Sequence, residues 1–173
     1  ITERIYDKII ATYKRKNDSM AQQAFPVMKD VFEKSGEVYE NIVVPVSDGQ
    51  RVFNIITNLR KAVESEGKEL IRSYEKTLML VSIDEAWKEH LRELDDLKQS
   101  VQAATYEQKD PLLIYKFESF ELFKVMMDKI NREVVASLMK GHIPVRSADE
   151  VQQAQSRRRL DMSKYNTTRT DAM

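Results

Sequence analysis

The chain has 173 residues, with 28 Lys and Arg against 28 Asp and Glu, so there is no general charge to draw it to nucleic acid or an anionic membrane surface. It has no cysteine, which excludes disulfides and thiolate metal sites, and no apolar run near the ~20 residues that a membrane span requires. Abundant balanced charge with scarce glycine and proline favours helix.

Thr2 to about Ala24 places Ile5, Ile9, Tyr13 and Met20 near one face, with Tyr6 and Ile10 beside them, which predicts a helix. Phe25-Pro26 is expected to interrupt it, and Val27, Val31 and Phe32 then predict a second, short helix. Ser35-Gly36 would close that helix, with Gly36 in the left-handed C′ position. The helical pattern starts at Ile1 with neither initiator Met nor signal peptide, so the chain is expected to be a piece of a larger protein.

From Asn41 to Ile55 the period changes to two. Ile42, Val44 and Val46 alternate, Asp48-Gly49 is a two-residue turn signal, and Arg51, Phe53 and Ile55 alternate on the return. That turn predicts Val44 opposite Phe53 and Ile42 opposite Ile55, with the shared apolar face packed on helices. Pro45 cannot donate to a ladder, which predicts that the first strand is an edge. Asn58 can cap a short helix over Leu59 to Glu66, and Gly67 weakens its continuity with the next helix, as a kink or a loop.

Two long amphipathic patterns come next. Leu80, Ile83, Trp87, Leu91, Leu94, Leu97 and Val101 recur at steps of three and four, and so do Leu113, Phe117, Phe120, Phe123, Met127, Ile130, Val134 and Leu138. Asp110-Pro111 supplies an N-cap acceptor and a first helical residue without an N–H, so the second helix starts at Pro111 and the first stops near Ala103 or Ala104. Thr105 to Lys109 form the tip. A compact chain of this size is roughly 40 Å across, whereas a helix from Lys68 to Ala104 is about 55 Å long, so the hairpin must protrude. The fold expected is mainly α and elongated: a long antiparallel helical hairpin plus a small helical wing containing one short β-hairpin. Its parts are a wing over 1–70, the hairpin over 71–141 and a polar linker or tail over 142–173, ordered only where something holds it.

Chemistry is sparse. Gly67-Lys68 is followed by Glu69 and preceded five positions earlier by Ala62, so it is not a phosphate loop. His90 and Glu93 are close enough along a helix to share a metal, but His142 is the one other histidine and no further ligand motif is visible. Ser, His and Asp carry no nucleophile spacing. No catalytic or metal residue is assigned. Trp87, Leu91 and Phe120 are expected to pack, and Arg157, Arg158 and Arg159, with acids close by, to be solvated. Tyr106 differs: a large amphipathic ring at a projecting tip either anchors contact with another chain, as such rings do at binding surfaces, or folds back onto the arms, and the residues alone leave both readings open.

The run Ile83-Asp84-Glu85-Ala86-Trp87-Lys88-Glu89-His90-Leu91, then Asp95-Asp96-Leu97, then Tyr106-Glu107-Gln108-Lys109-Asp110-Pro111, then Tyr115-Lys116-Phe117-Glu118-Ser119-Phe120-Glu121-Leu122-Phe123 resembles the helical wing and scaffold region of SecA, the ATP-driven motor of bacterial preprotein translocation. Residues 1 to about 70 are similar to the wing in its Bacteroides-type form. The resemblance implies a two-helix finger whose tip enters the cytoplasmic mouth of the SecY channel, with Tyr106 touching the moving polypeptide and Gln108, Lys109 and Asp110 shaping the tip. It implies preprotein, the SecY complex and the remaining SecA domains as partners. ATP and Mg would be held outside this chain, and the location implied is the cytoplasm and, when channel-bound, the cytoplasmic face of the inner membrane. The family commonly has Arg-Gly just before the tyrosine; here those positions are Ala104 and Thr105. If the finger packs on a scaffold helix upstream of Ile1, the stripe around Trp87 and Phe120 lacks its partner in this chain, which predicts self-association.

Overall fold

The computed structural model describes residues 2–103, 110–144 and 152–154. The element order is α1 (Thr2–Ser35), β1 (Asn41–Ser47), β2 (Val52–Asn58), α2 (Leu59–Glu64), α3 (Lys68–Ala103), α4 (Pro111–Lys140) and β3 (Gln152–Gln153). A body is built from α1, the sheet, α2 and the first turns of α3. Beyond the body, α3 and α4 pair as the expected hairpin, α3 alone being about 54 Å long at 1.5 Å per residue.

The body core joins Met20, Ala24, Met28 and Val31 of α1 to the inward faces of the strands, where Ile42, Val44, Val46, Phe53 and Ile55 are buried. Leu59 and Ala62 of α2 and Leu70, Tyr74 and Leu78 of α3 complete it. Strand alternation therefore supplies the apolar face expected, and the helices cover it. The first half of α1 extends past this core, leaving Ile5, Tyr6 and Ile9 exposed.

Several local expectations are corrected. Pro26 does not break the first helix; α1 runs through it to Ser35. Proline removes the donor for the carbonyl of Gln22, an exposed residue, while Ala24, Met28 and Val31 hold the helix to the core on both sides. Gly36 is not left-handed. Its amide bonds the Phe32 carbonyl at 2.8 Å, and an added Cβ would collide with that same oxygen, so close approach is what glycine provides there. The β-turn is centred one residue later than expected, on Gly49-Gln50, with Gly49 at φ +88° and Asp48 N–H donating to the Arg51 carbonyl. Val44 thus faces Ile55, and Val46 faces Phe53. The register moves by two residues, which keeps every side chain on its expected face.

Nor is β1 an edge. The sheet order is β2-β1-β3, with Val43 opposite Gln152, and Ser47 forms a bridge to His142. Pro45 sits in the gap between these two contacts, where no donor is demanded. The expected tail is thus held by β1 at residues 152–154.

Asn58 caps α2, its side-chain oxygen accepting from Lys61 N–H at 3.1 Å. The break before α3 is a turn, with Glu66 at φ 52° and Gly67 at φ +86°. Asp110 caps α4 by accepting from Leu112 N–H at 2.9 Å, and Pro111 opens the helix, as the sequence requires.

Candidate functional site

The hairpin carries the candidate site because its two arms set where the chain reverses. Leu70, Tyr74 and Leu78 anchor the start of α3 in the body, and Ala103 lies 33 residues beyond Leu70, about 50 Å along the helix. Tyr106, Gln108 and Lys109 fall in the connection between Ala103 and Asp110 and lie outside the described residues. Asp110, the fourth tip residue, is exposed, and its carboxylate is engaged in starting α4.

The seam between the arms keeps Leu97, Val101, Ile130 and Val134 of the expected stripes, but nearer the body it is made by smaller residues than expected. On α3 the buried positions are Ser82, Ala86, His90, Leu97 and Val101, and on α4 they are Met126, Ile130, Val134 and Ser137. Steps of four through Ser82, Ala86 and His90 let the helices approach closely. The expected packing residues Trp87, Leu91 and Phe120 lie beside this seam and are 46%, 48% and 58% exposed. His90 sits under them, 4% exposed, with its ring 5.7 Å from that of Trp87 and 6.2 Å, edge-on, from that of Phe123. Trp87 from α3 and Phe123 from α4 thus both pack against one histidine ring.

His90 Nδ1 lies 3.9 Å from the Glu93 carboxylate, with no third acid, cysteine or histidine grouped with them among the described residues. Glu93 opens instead onto a groove between the arms, lined also by Asp96, Ser100, Glu118, Glu121 and Val125. Lys124 answers Glu121 at 2.6 Å. Gly67 forms no phosphate cradle. A Cβ there would lie 2.6 Å from the Ala21 carbonyl oxygen, so this glycine faces packed backbone, not an open ring of N–H donors.

Where the hairpin meets the body, a polar joint forms that sequence reasoning treated only as a turn. The buried Asp48 carboxylate accepts from Arg51 N–H (2.7 Å), Gln50 N–H (3.0 Å) and Ser137 Oγ (2.8 Å). Tyr74 donates to the Ser137 carbonyl at 2.8 Å, and Arg51 reaches Glu85 on α3 at 3.3 Å. Gly141 allows the closure, since a Cβ there would collide with the Tyr74 hydroxyl. From α1, Lys16 donates to the Leu138 carbonyl and Tyr13 to Glu75 at 2.6 Å. Burial lowers the pKa of Lys16; burial, then the bond to Glu75, raises that of Tyr13. One signal was available in the sequence: Ser137 interrupts the apolar run Val134-Val135-Ala136 and Leu138-Met139, as a serine with a buried partner does.

Residues 1–142 match the family described as the SecA wing and scaffold domain. Among curated proteins, the chain is 50% identical over 181 residues to the protein translocase subunit SecA of Bacteroides fragilis, covering 99% of this chain and 16% of that protein. It is 51% identical over 174 residues to the same-named subunit of Bacteroides thetaiotaomicron, covering 95% of the chain and 16% of that protein. For the subunit of Porphyromonas gingivalis the identity is 48% over 181 residues, covering 99% of the chain and 16% of that protein. The chain thus spans about a sixth of the length of these relatives. No solved structure matches it.

Proposed function

This chain belongs to the SecA wing and scaffold family, and on that footing we propose that its α3–α4 hairpin is a non-catalytic lever of a protein translocase. Tyr106 contacts the polypeptide being moved, at the mouth of the SecY channel, with Gln108, Lys109 and Asp110 shaping the tip. ATP and Mg²⁺ belong to other domains of the whole motor, which works at the cytoplasmic face of the inner membrane. What supports this reading is the antiparallel pairing of α3 and α4 into a rod anchored in the body, with Ala103 about 50 Å from that anchor and Tyr106 falling in sequence between Ala103 and Asp110.

A rod of two packed helices transmits displacement from its base without using up the motion in bending. An aromatic ring at its end suits unrelated sequences, since an apolar face and one hydroxyl demand little of a partner. The polar joint at Asp48 and Ser137 fixes the base of the rod to the body, so movement imposed on either part reaches the other. The test is Tyr106→Ala in the whole translocase. Transport of a precursor into membrane vesicles should fall several-fold while ATP hydrolysis without precursor is kept. Transport equal to that of the unsubstituted protein removes Tyr106 from the mechanism.

A further inference from the structure

We propose that the free edge of β2 takes up an extended, uncharged stretch of polypeptide as an added strand. In an antiparallel ladder, residues alternate between pairs that exchange backbone bonds and pairs that direct their N–H and C=O groups outward. The phase is fixed here at both ends of the β1–β2 pair. Asp48 N–H donates to the Arg51 carbonyl at 3.1 Å, and Leu59 N–H donates to the Glu40 carbonyl at 3.0 Å. In the register between them, the partners of Ile42, Val44 and Val46 are Thr57, Ile55 and Phe53, so these are the bonded pairs. The odd-numbered residues of β1 accordingly face away from β2: Ser47 exchanges two 2.8 Å bonds with His142, and the Asn41 carbonyl accepts from Ala154 N–H at 2.9 Å. By the same alternation Val52, Asn54 and Ile56 send their backbone groups outward from the other edge of β2.

The two outer edges of the hairpin are treated differently. That of β1 is guarded by β3, by the His142 bridge and by Pro45, which has no N–H to offer. Along β2, Val52-Phe53-Asn54-Ile55-Ile56-Thr57-Asn58 contains no charge and no proline, the usual protections of an edge, and no described strand pairs with its outer side. Phe53, Ile55 and Thr57 are buried in the body and hold the strand still, while Val52 is 63% and Ile56 48% exposed. A rigid strand therefore presents unused donors and acceptors flanked by β-branched side chains.

The choice of occupant rests on size and chemistry. Seven residues make an edge about 23 Å long, and with a sheet depth of about 10 Å it covers roughly 230 Å² per partner, far below the ~1,000 Å² total of a stable protein interface. A lasting pair of copies is not supported by so small an area, whereas transient capture of an extended chain is. Backbone-led strand addition reads little sequence, and the neutral edge favours neutral guests. The inference rests on the translocase reading only for identifying that guest as the polypeptide in transit.

The test uses the chain with the capped peptide acetyl-(Thr-Val)4-amide, read by amide hydrogen exchange and by light scattering. Exchange at Val52, Asn54 and Ile56 should slow roughly tenfold on adding peptide, with the intervening Phe53 and Ile55 already protected. Ile56→Lys, on the solvent side, and Asn54→Pro, which removes an outward donor alone, should each weaken binding about fivefold or more with the circular dichroism spectrum kept. Peptide that leaves these three amides unchanged overturns the inference. So does protection before peptide is added, whether the mass is that of a dimer or of a monomer, because the edge is then already occupied. Unchanged β2 exchange together with lost transport in Tyr106→Ala would remove the edge proposal and leave the hairpin reading standing.

Discussion

Asp48 is held by four interactions, of which the bond from Ser137 Oγ, 89 positions away, is the one that no β-turn by itself supplies. Burial by itself would raise its pKa, but donation from Arg51 N–H, Ser137 Oγ and Gln50 N–H, with the Arg51 charge, outweighs burial and holds the carboxyl at about 2. Tyr74, beside it, is pushed up to about 12, first by burial and then by the Asp48 charge, so it remains a donor to Ser137 throughout the useful pH range. An aspartate ordinarily titrates near 3.9 when unfolded; the stabilisation from this depressed pKa is thus present above about pH 4 and lost as pH falls through about 2. Asp48→Asn should therefore lower stability at pH 7 by roughly 1–3 kcal/mol, the worth of hydrogen bonds to a charged group. In urea unfolding the gap to the unsubstituted chain should narrow steadily between pH 4 and pH 2. A gap that stays constant across that range would show that the carboxylate charge is not what holds the joint.

At the scale of elements, the hairpin shows what amphipathic spacing reveals and what it conceals. The helix starts were legible because they rest on local chemistry: Asp110 before Pro111, and Asn58 before Leu59, each supply the side-chain oxygen that an unpaired N–H needs. The seam was legible only in part: Leu97, Val101, Ile130 and Val134 of the two stripes lie in it, but Trp87, Leu91 and Phe120 do not, because a stripe of large apolar residues gives the side of the helix that wants burial, not the side that is buried within this chain. Ser82 and Ala86 carry little hydrophobic weight, yet their small size is what admits α4. The β-register was missed for a similar reason: Asp48-Gly49 and Gly49-Gln50 both place glycine in the turn, and the choice depends on Asp48 being buried against a serine 89 positions away. Ala86→Leu should thus overpack the seam and cost about 1–3 kcal/mol, while Trp87→Ala, its neighbour in sequence, should cost less despite removing far more side chain. Thermal denaturation of the two variants decides the point, and the reverse order would place Trp87 in the seam.

At the scale of the molecule, the seam's economy in large residues leaves Ile83, Trp87, Leu91, Phe117, Phe120 and Phe123 exposed on a rod whose base alone is enclosed. Exposed apolar patches beyond a few hundred Å² draw partners in water. The relatives are about six times as long as this chain, so in a whole protein other segments are available to cover that face. These residues stay exposed among the described residues of this chain, and in a symmetric pair each copy would give and receive the same side chains. The chain should accordingly self-associate, with light scattering showing at least a doubling of mass as concentration rises. Replacing Trp87 and Phe120 together by serine should return it to a monomer, because burial of two aromatic rings contributes several kcal/mol per contact. Ile5→Ser, on the exposed half of α1, should leave the assembly intact and so separates this face from general stickiness. An unsubstituted chain that stays monomeric at high concentration would mean that the aromatic face is stable in water by itself and needs no cover.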